Sequence, residues 1–190
     1  MNAKGVIFLS GKKVNLRPYD REKDLVNCQR WINNPEIRVY IENVFPITLQ
    51  QEEEAIQRLS SDPKTVFLII ETKRGIPIGV MGLHKIDWIS RTALTGAFIG
   101  EKELQGVGYG TDAKMTLLNY AFNALNLRKI NSGAIAFNRR SVAYNLKCGY
   151  HIEGRKKRQV FRFGKYWDLI LLAVFKKDFL KAWKEYQKQP

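Results

Sequence analysis

Three glycines fall within five positions, Gly106, Gly108 and Gly110, where an apolar, strand-like run (Leu94–Ile99) gives way to a helical one (Asp112–Ala124). The stretch around them, Phe98–Thr111, reads FIGEKELQGVGYGT. Glycine reaches positive φ at little cost and lets a ligand approach the backbone. The first amides of a helix have no intrahelical partner, and the helix dipole favours an anion beside them. Strand, glycine turn and helix N-terminus in this order read as a cradle for a phosphate or pyrophosphate, although many proteins join strand to helix this way with no ligand. A P-loop is excluded, because no Lys-Ser/Thr follows the last glycine. The spacing is not GxGxxG either. What remains is Q-x-x-G-x-G, from Gln105 to Gly110.

Other chemistry is sparse. Two cysteines, Cys28 and Cys148, lack CxxC spacing, and two histidines, His84 and His151, make a metal site a poor expectation. The chain has 190 residues, 45% of them hydrophobic, which suits a single domain over 1–190 with an ample core. A formal net charge of +14, from 32 Lys and Arg against 18 Asp and Glu, points to an acidic partner. That partner is nucleic acid, an anionic surface or a phosphorylated small molecule, unless the charge serves solubility alone. No apolar run approaches membrane-spanning length and the N-terminus lacks a signal-peptide core, so no membrane partner is expected and the default location is a reducing cytoplasm.

The elements that must hold the glycine turn can be taken in order. Residues 1–12 read as a loose lead-in, and Val14–Pro18 alternates as a first strand should. Asp20 is a plausible N-cap for a helix to Asn33 carrying Leu25, Cys28, Trp31 and Ile32 on its apolar side. Asn33-Asn34-Pro35 breaks it, and Glu36–Pro46 reads as irregular. Thr48 opens a second helix, ended by Ser60-Ser61-Asp62-Pro63. Val66–Thr72, Ile76–Ile86 and Thr92–Gly100, joined by short turns, predict an antiparallel meander that runs into the glycine loop. Helix Asp112–Ala124, strand Lys129–Phe137 and a short helix Asn138–Cys148 ended by Gly149 follow. A hairpin of Tyr150–Arg162 and Trp167–Phe175, and a helix Lys177–Gln187, complete a mixed α+β order.

The Q-x-x-G-x-G loop resembles the acetyl-coenzyme-A loop of the GNAT superfamily of N-acetyltransferases, usually written with Arg or Gln first. The resemblance spans nearly the whole chain and is closest to the branch of ribosomal-protein N-terminal and polyamine acetyltransferases. It rests on LRPYD, WINNPE, PIGVMGLHKID, the glycine loop, YAFNALNLRKI, Asn138-Arg139-Arg140-Ser141, Lys147-Cys148-Gly149-Tyr150 and Glu153-Gly154, in this order and spacing. It implies a central, twisted, mostly antiparallel sheet flanked by helices, splayed where Leu94–Gly100 parts from Lys129–Phe137 to admit acetyl-CoA. Backbone groups of Phe98, Ile99 and Gly100 would pair with the pantetheine arm. Amides of Gln105, Gly106, Val107, Gly108, Tyr109, Gly110 and Thr111 would bind the pyrophosphate. Asn138 matches the family's pantetheine-binding Asn, with Ser141 leaving room beside it, and Lys147 could face the phosphates. Asn138 could equally cap the helix it begins, and Lys147 could be a solvated helix residue.

In much of the family a Tyr four residues before the Gly of the C-terminal Gly-Phe/Tyr pair serves the leaving thiol. Here Asn145 holds that position and Tyr144 the one before, about 100° round a helix. Either could act, or water could protonate the thiolate. The relatives that acetylate ribosomal-protein N-termini often place a Glu, as general base, on the strand after the cofactor helix, where this chain has Gly133, which leaves His84, Glu101 and Asp87 as candidate bases.

For the acceptor, the leading expectation is a primary amine such as a ribosomal-protein N-terminus, with a nucleotide-linked amino sugar or a polyamine as alternatives. A non-catalytic nucleic-acid- or CoA-binding protein is the alternative of another class. The run Arg155-Lys156-Lys157-Arg158, interleaved downstream with Phe161, Phe163, Tyr166 and Trp167, could dock on RNA-rich surface or be a solvated face. The net charge opposes a polyamine, while Glu36, Glu42 and Glu52–Glu54 keep one open. A homodimer is left open too.

Overall fold

A computed structural model describes residues 6–41 and 43–189. In chain order the strands are β1 (Leu9–Ser10), β2 (Val14–Arg17), β3 (Val66–Thr72), β4 (Pro77–Asp87), β5 (Thr92–Ile99), β6 (Lys129–Ile135), β7 (His151–Arg162) and β8 (Lys165–Phe175). The helices are α1 (Arg21–Asn33), α2 (Pro35–Arg38), α3 (Leu49–Ser61), α4 (Tyr109–Asn123), α5 (Arg139–Lys147) and α6 (Lys176–Lys188), with a 3-10 turn at Lys102–Leu104. Strand order is β1-β2-β3-β4-β5-β6-β8-β7, antiparallel in every register resolved except β5 with β6. The expected α+β class and mostly antiparallel sheet are what the chain adopts. Two compact units are distinguished, Met1–His84 with Gly96–Leu117, and Lys85–Thr95 with Leu118–Pro190.

In the first unit, local sequence sets the helix ends. Asp20 accepts the Glu22 N–H to start α1. Thr48 and Gln51 form a reciprocal capping box that starts α3. The apolar side of α1, with Leu25, Cys28 and Trp31, packs with Ile37, Ile56 and Ile69, and Tyr19, Phe67, Val80 and Phe98 close around them. Burial of each large apolar side chain here contributes roughly 1.5–3 kcal/mol. The same helix enters an ion cluster through the buried Asp24. Arg17 makes two hydrogen bonds to Asp24, at 2.7 and 2.8 Å, and a third to Glu71. The same Asp24 carboxylate receives the Asp20 N–H at 2.8 Å. Two expectations need correction in this unit. The lead-in is not wholly loose, since Leu9 and Ser10 pair with Leu16 and Asn15. Within the segment read as irregular, Pro35 begins the short α2, capped by the Asn34 side chain on the Glu36 N–H.

In the second unit, β5 runs parallel to β6 over Thr92–Leu94 against Lys129–Asn131, and β6 pairs with β8 along its whole length. The β7–β8 hairpin turns at Phe163-Gly164, both at positive φ (52° and 73°), the geometry of a primed two-residue turn. Phe179 of α6 packs on Phe122, ring centroids 5.2 Å apart. The Tyr150 hydroxyl meets Thr95 Oγ1 at 3.0 Å.

Candidate active site

The glycine loop lies in the first unit. The chain leaves β5 against two bare positions. An added Cβ at Gly79 would sit 2.2 Å from the Phe98 carbonyl oxygen, and one at Gly100 would sit 2.2 Å from the buried Trp31 indole. Both glycines therefore let the end of β5 press onto its neighbours. The Gly100 N–H donates to the Ile78 carbonyl at 2.8 Å, and the Gln105 side chain donates to the Ile99 carbonyl at 2.9 Å. Gln105 thus folds the loop back on the strand it leaves. Gly106 and Gly108 take φ of 83° and 99°, which L side chains rarely adopt. The Asp112 N–H reaches the Gly108 carbonyl at 3.0 Å, so α4 starts at Tyr109, three residues before the expected Asp112. Tyr109, Gly110 and Thr111 accordingly occupy its first turn, where backbone N–H groups lack intrahelical acceptors. A turn held open by two left-handed glycines and ending on such amides fits a pyrophosphate.

Sequence reasoning missed what braces this turn. The buried Asp112 carboxylate accepts three consecutive backbone amides, Lys12 at 2.9 Å, Lys13 at 2.8 Å and Val14 at 2.9 Å. A Cβ on Gly11 would fall 2.4 Å from that carboxylate. Lys13, fixed by its backbone, sends its ammonium to the Val107 carbonyl at 3.2 Å. The same ammonium lies 3.2 Å from where a Cβ of Gly108 would be. No local pattern announces this contact, which spans 94 residues.

Two candidate bases also fall in this unit. Glu101 receives Trp31 Nε1–H at 2.9 Å and the Arg30 guanidinium. Arg30 first, and Trp31 with it, hold its carboxyl below the usual range. His84 is half-buried on β4. Its ring edge lies 3.1 Å from a Cβ position on Gly82 and 3.3 Å from one on Gly96, so the imidazole rests over two bare residues. Strand alternation puts Gly96 and Phe98 on one face of β5, about 7 Å apart.

The remaining candidates belong to the second unit. Asn138 caps α5, its side-chain oxygen accepting the Ser141 N–H at 3.1 Å. Asn145 is buried and donates its side-chain amide to the Ser141 carbonyl at 2.8 Å. The Tyr144 hydroxyl is shielded from solvent, and burial pushes its pKa well above the ordinary value. Lys147 is exposed in the last turn of α5. Gly133 has Leu169 at ordinary contact, 3.6 Å from a Cβ position. Asp87 accepts the Ile89 and Ser90 amides at the β4–β5 turn, at 2.9 and 2.8 Å. Among the described residues no group of three or more His, Cys, Asp or Glu could hold a metal ion, and no helix is long and apolar enough to cross a membrane.

Compared with known families, residues 13–151 match the Acetyltransferase (GNAT) domain. The spermidine N(1)-acetyltransferase of Escherichia coli (strain K12) is 26% identical over 176 residues, 92% of this chain and 92% of its own. A Bacillus subtilis (strain 168) protein named "Putative ribosomal N-acetyltransferase YdaF" is 31% identical over 100 residues. That match spans 53% of this chain and 54% of YdaF, about half of each. Among solved structures, spermidine N-acetyltransferase from Vibrio cholerae in complex with CoA and spermine aligns with a TM-score of 0.82 at 26% identity, covering 88% of this chain and 98% of that one.

Proposed function

The chain belongs to the GNAT acetyltransferases, which move the acetyl group of acetyl-CoA to an amine nitrogen, and from that premise we propose that this member acetylates a protein N-terminal α-amine. We read both compact units as parts of one transferase domain, because the family match runs through each. We place it in a reducing cytoplasm, in keeping with two buried cysteines that are not in a disulfide.

The observation that carries the choice of acceptor is the state of the carboxylates that a polycation would need. Glu36 is paired with Lys102, Glu53 with Arg21 and Glu101 with Arg30. Glu52 is buried, and Glu54 accepts from Gln50. Glu42 lies outside the described residues. Three of these carboxylates already face a cation of the chain, and with a net charge of +14 a polyamine would meet an overall repulsive field. An α-amine, titrating near about 8, is partly neutral at pH 7 and needs little help to attack, whereas alkylammonium groups titrate near about 10. An exposed basic edge strand, Lys156, Lys157 and Arg158 of β7, would hold an anionic or ribosome-borne protein that carries the amine.

When bound, acetyl-CoA supplies the thioester carbonyl. The glycine loop would hold its pyrophosphate, and in the second unit the Asn138 carboxamide nitrogen takes no part in capping α5. The amine nitrogen bonds to the carbonyl carbon, the carbon–sulfur bond breaks, and the amine's proton passes to His84. What supports His84 is its place over Gly82 and Gly96, on the face that carries Phe98. Water protonates the departing thiolate, because the Tyr144 hydroxyl is shielded and Asn145 is bonded to its own helix.

A second reading, a polyamine acceptor, is favoured by the near full-length match to spermidine acetyltransferases. An acetyl-CoA-dependent thiol-release screen over N-terminal peptides, spermidine, spermine and amino sugars decides between them. The proposal expects peptides to lead in kcat/KM. A tenfold preference for spermidine would reverse it.

A further inference from the structure

We propose that Lys13 is a coenzyme-binding residue whose ammonium completes the pyrophosphate cradle at the N-terminus of α4. This rests on the glycine loop being the pyrophosphate site. The root of the Lys13 side chain is fixed beside the loop, because its own N–H and those of its two neighbours are held by the buried Asp112 carboxylate. From that fixed origin the ammonium bonds Val107 O and stands over Gly108, close enough to touch a Cβ there. Gly108 is bare because of its φ of 99°, and the Lys13 ammonium, the mobile end of a long side chain, stands beside it.

Without a ligand the helix dipole opposes an ammonium at this end. A cation beside the positive end of a helix loses roughly 0.3–1 kcal/mol. Asp112, the acidic residue of the first turn, is already shared among three backbone amides. An arriving phosphate oxygen would turn this repulsion into a charge-assisted hydrogen bond. A residue that only strapped the loop would have no reason to carry charge there.

The test compares Lys13→Met and Lys13→Arg with the wild type. Affinity is measured by calorimetry for CoA, for dephospho-CoA and for pantetheine, which lacks phosphates, and melting is followed without ligand. Expected is a roughly tenfold weaker affinity of Lys13→Met for CoA and dephospho-CoA alike, shrinking at high salt. Pantetheine affinity should be unchanged, ligand-free melting equal or higher, and affinity largely retained in Lys13→Arg. Wild-type affinity for CoA in Lys13→Met overturns the proposal. So does a lowered melting point with a salt-independent loss, which marks a strap, or a loss confined to CoA, which assigns Lys13 to the 3′-phosphate. A Gly108→Asp variant that is folded yet binds CoA normally would instead overturn the glycine-loop reading itself.

Discussion

Replacing Glu101 by Gln separates a structural carboxylate from a catalytic one. In the wild type Glu101 accepts from Trp31 Nε1 and from Arg30, which hold its carboxyl below the ordinary value of about 4.3. An α-ammonium near about 7.8 is then at least 3.5 units away, so taking its proton is uphill by about 5 kcal/mol or more. For an imidazole of ordinary pKa the same transfer costs about 2 kcal/mol. Gln keeps the acceptor for Trp31 and loses only the charge opposite Arg30, whose side chain is 52% exposed. That loss is worth about 0.5 kcal/mol. A carboxyl with a depressed folded pKa stabilises the fold above its unfolded pKa and loses that contribution as pH falls through the folded value. The stability gap between wild type and variant should therefore be present at neutral pH and close below about pH 4. For activity, kcat/KM is measured from about pH 6 to 9.5 with saturating acetyl-CoA and the best acceptor of the screen. The expected outcome is an unchanged acid limb and kcat within about threefold of wild type. A hundredfold loss of kcat with the acid limb abolished would refute the reasoning and make Glu101 the base.

Three further outcomes follow from the same geometry. Asp24→Asn leaves the buried Arg17 guanidinium with Glu71 as its one carboxylate partner and should lower stability by about 3 kcal/mol in urea unfolding; a loss under 1 kcal/mol would show that Glu71 suffices. Burial raises the pKa of Glu52, so its proton binds more tightly in the folded chain, and stability is lost as pH climbs from the unfolded value through the raised one. Glu52→Gln should accordingly gain about 1 kcal/mol over wild type at pH 7 and nothing near pH 4, and a loss at both would contradict this. Neutralising Lys156, Lys157 and Arg158 together should raise KM for an anionic or ribosome-borne acceptor, leave KM for acetyl-CoA unchanged, and matter less as salt rises, whereas no change in either KM would make β7 a solvated face.

What the sequence showed plainly was whatever is decided within a few residues. Asp20, Thr48 with Gln51, and Asn138 each start a helix with a side chain reaching two or three residues ahead. That spacing is visible in a linear string. The β3–β4–β5 meander was legible for the same reason, short turns between short apolar runs. Helix α4 starts ahead of Asp112 because Gly110, a poor helix former in a helix interior, costs little in a first turn, where its amide has no helical partner to lose. The short β1 escaped because the turn after it is closed by a carboxylate about 100 residues away. Glu101 shows the deeper limit. A carboxylate at the end of a cofactor strand is, by type and position, a fair candidate for a base. Its partners Arg30 and Trp31 lie 71 and 70 residues earlier in the chain, and nothing local in either stretch reveals them. The same reach joins Lys13 to Val107. Residue type offers the candidates, and the long-range partner decides which charge is spent on the fold and which is kept for a ligand.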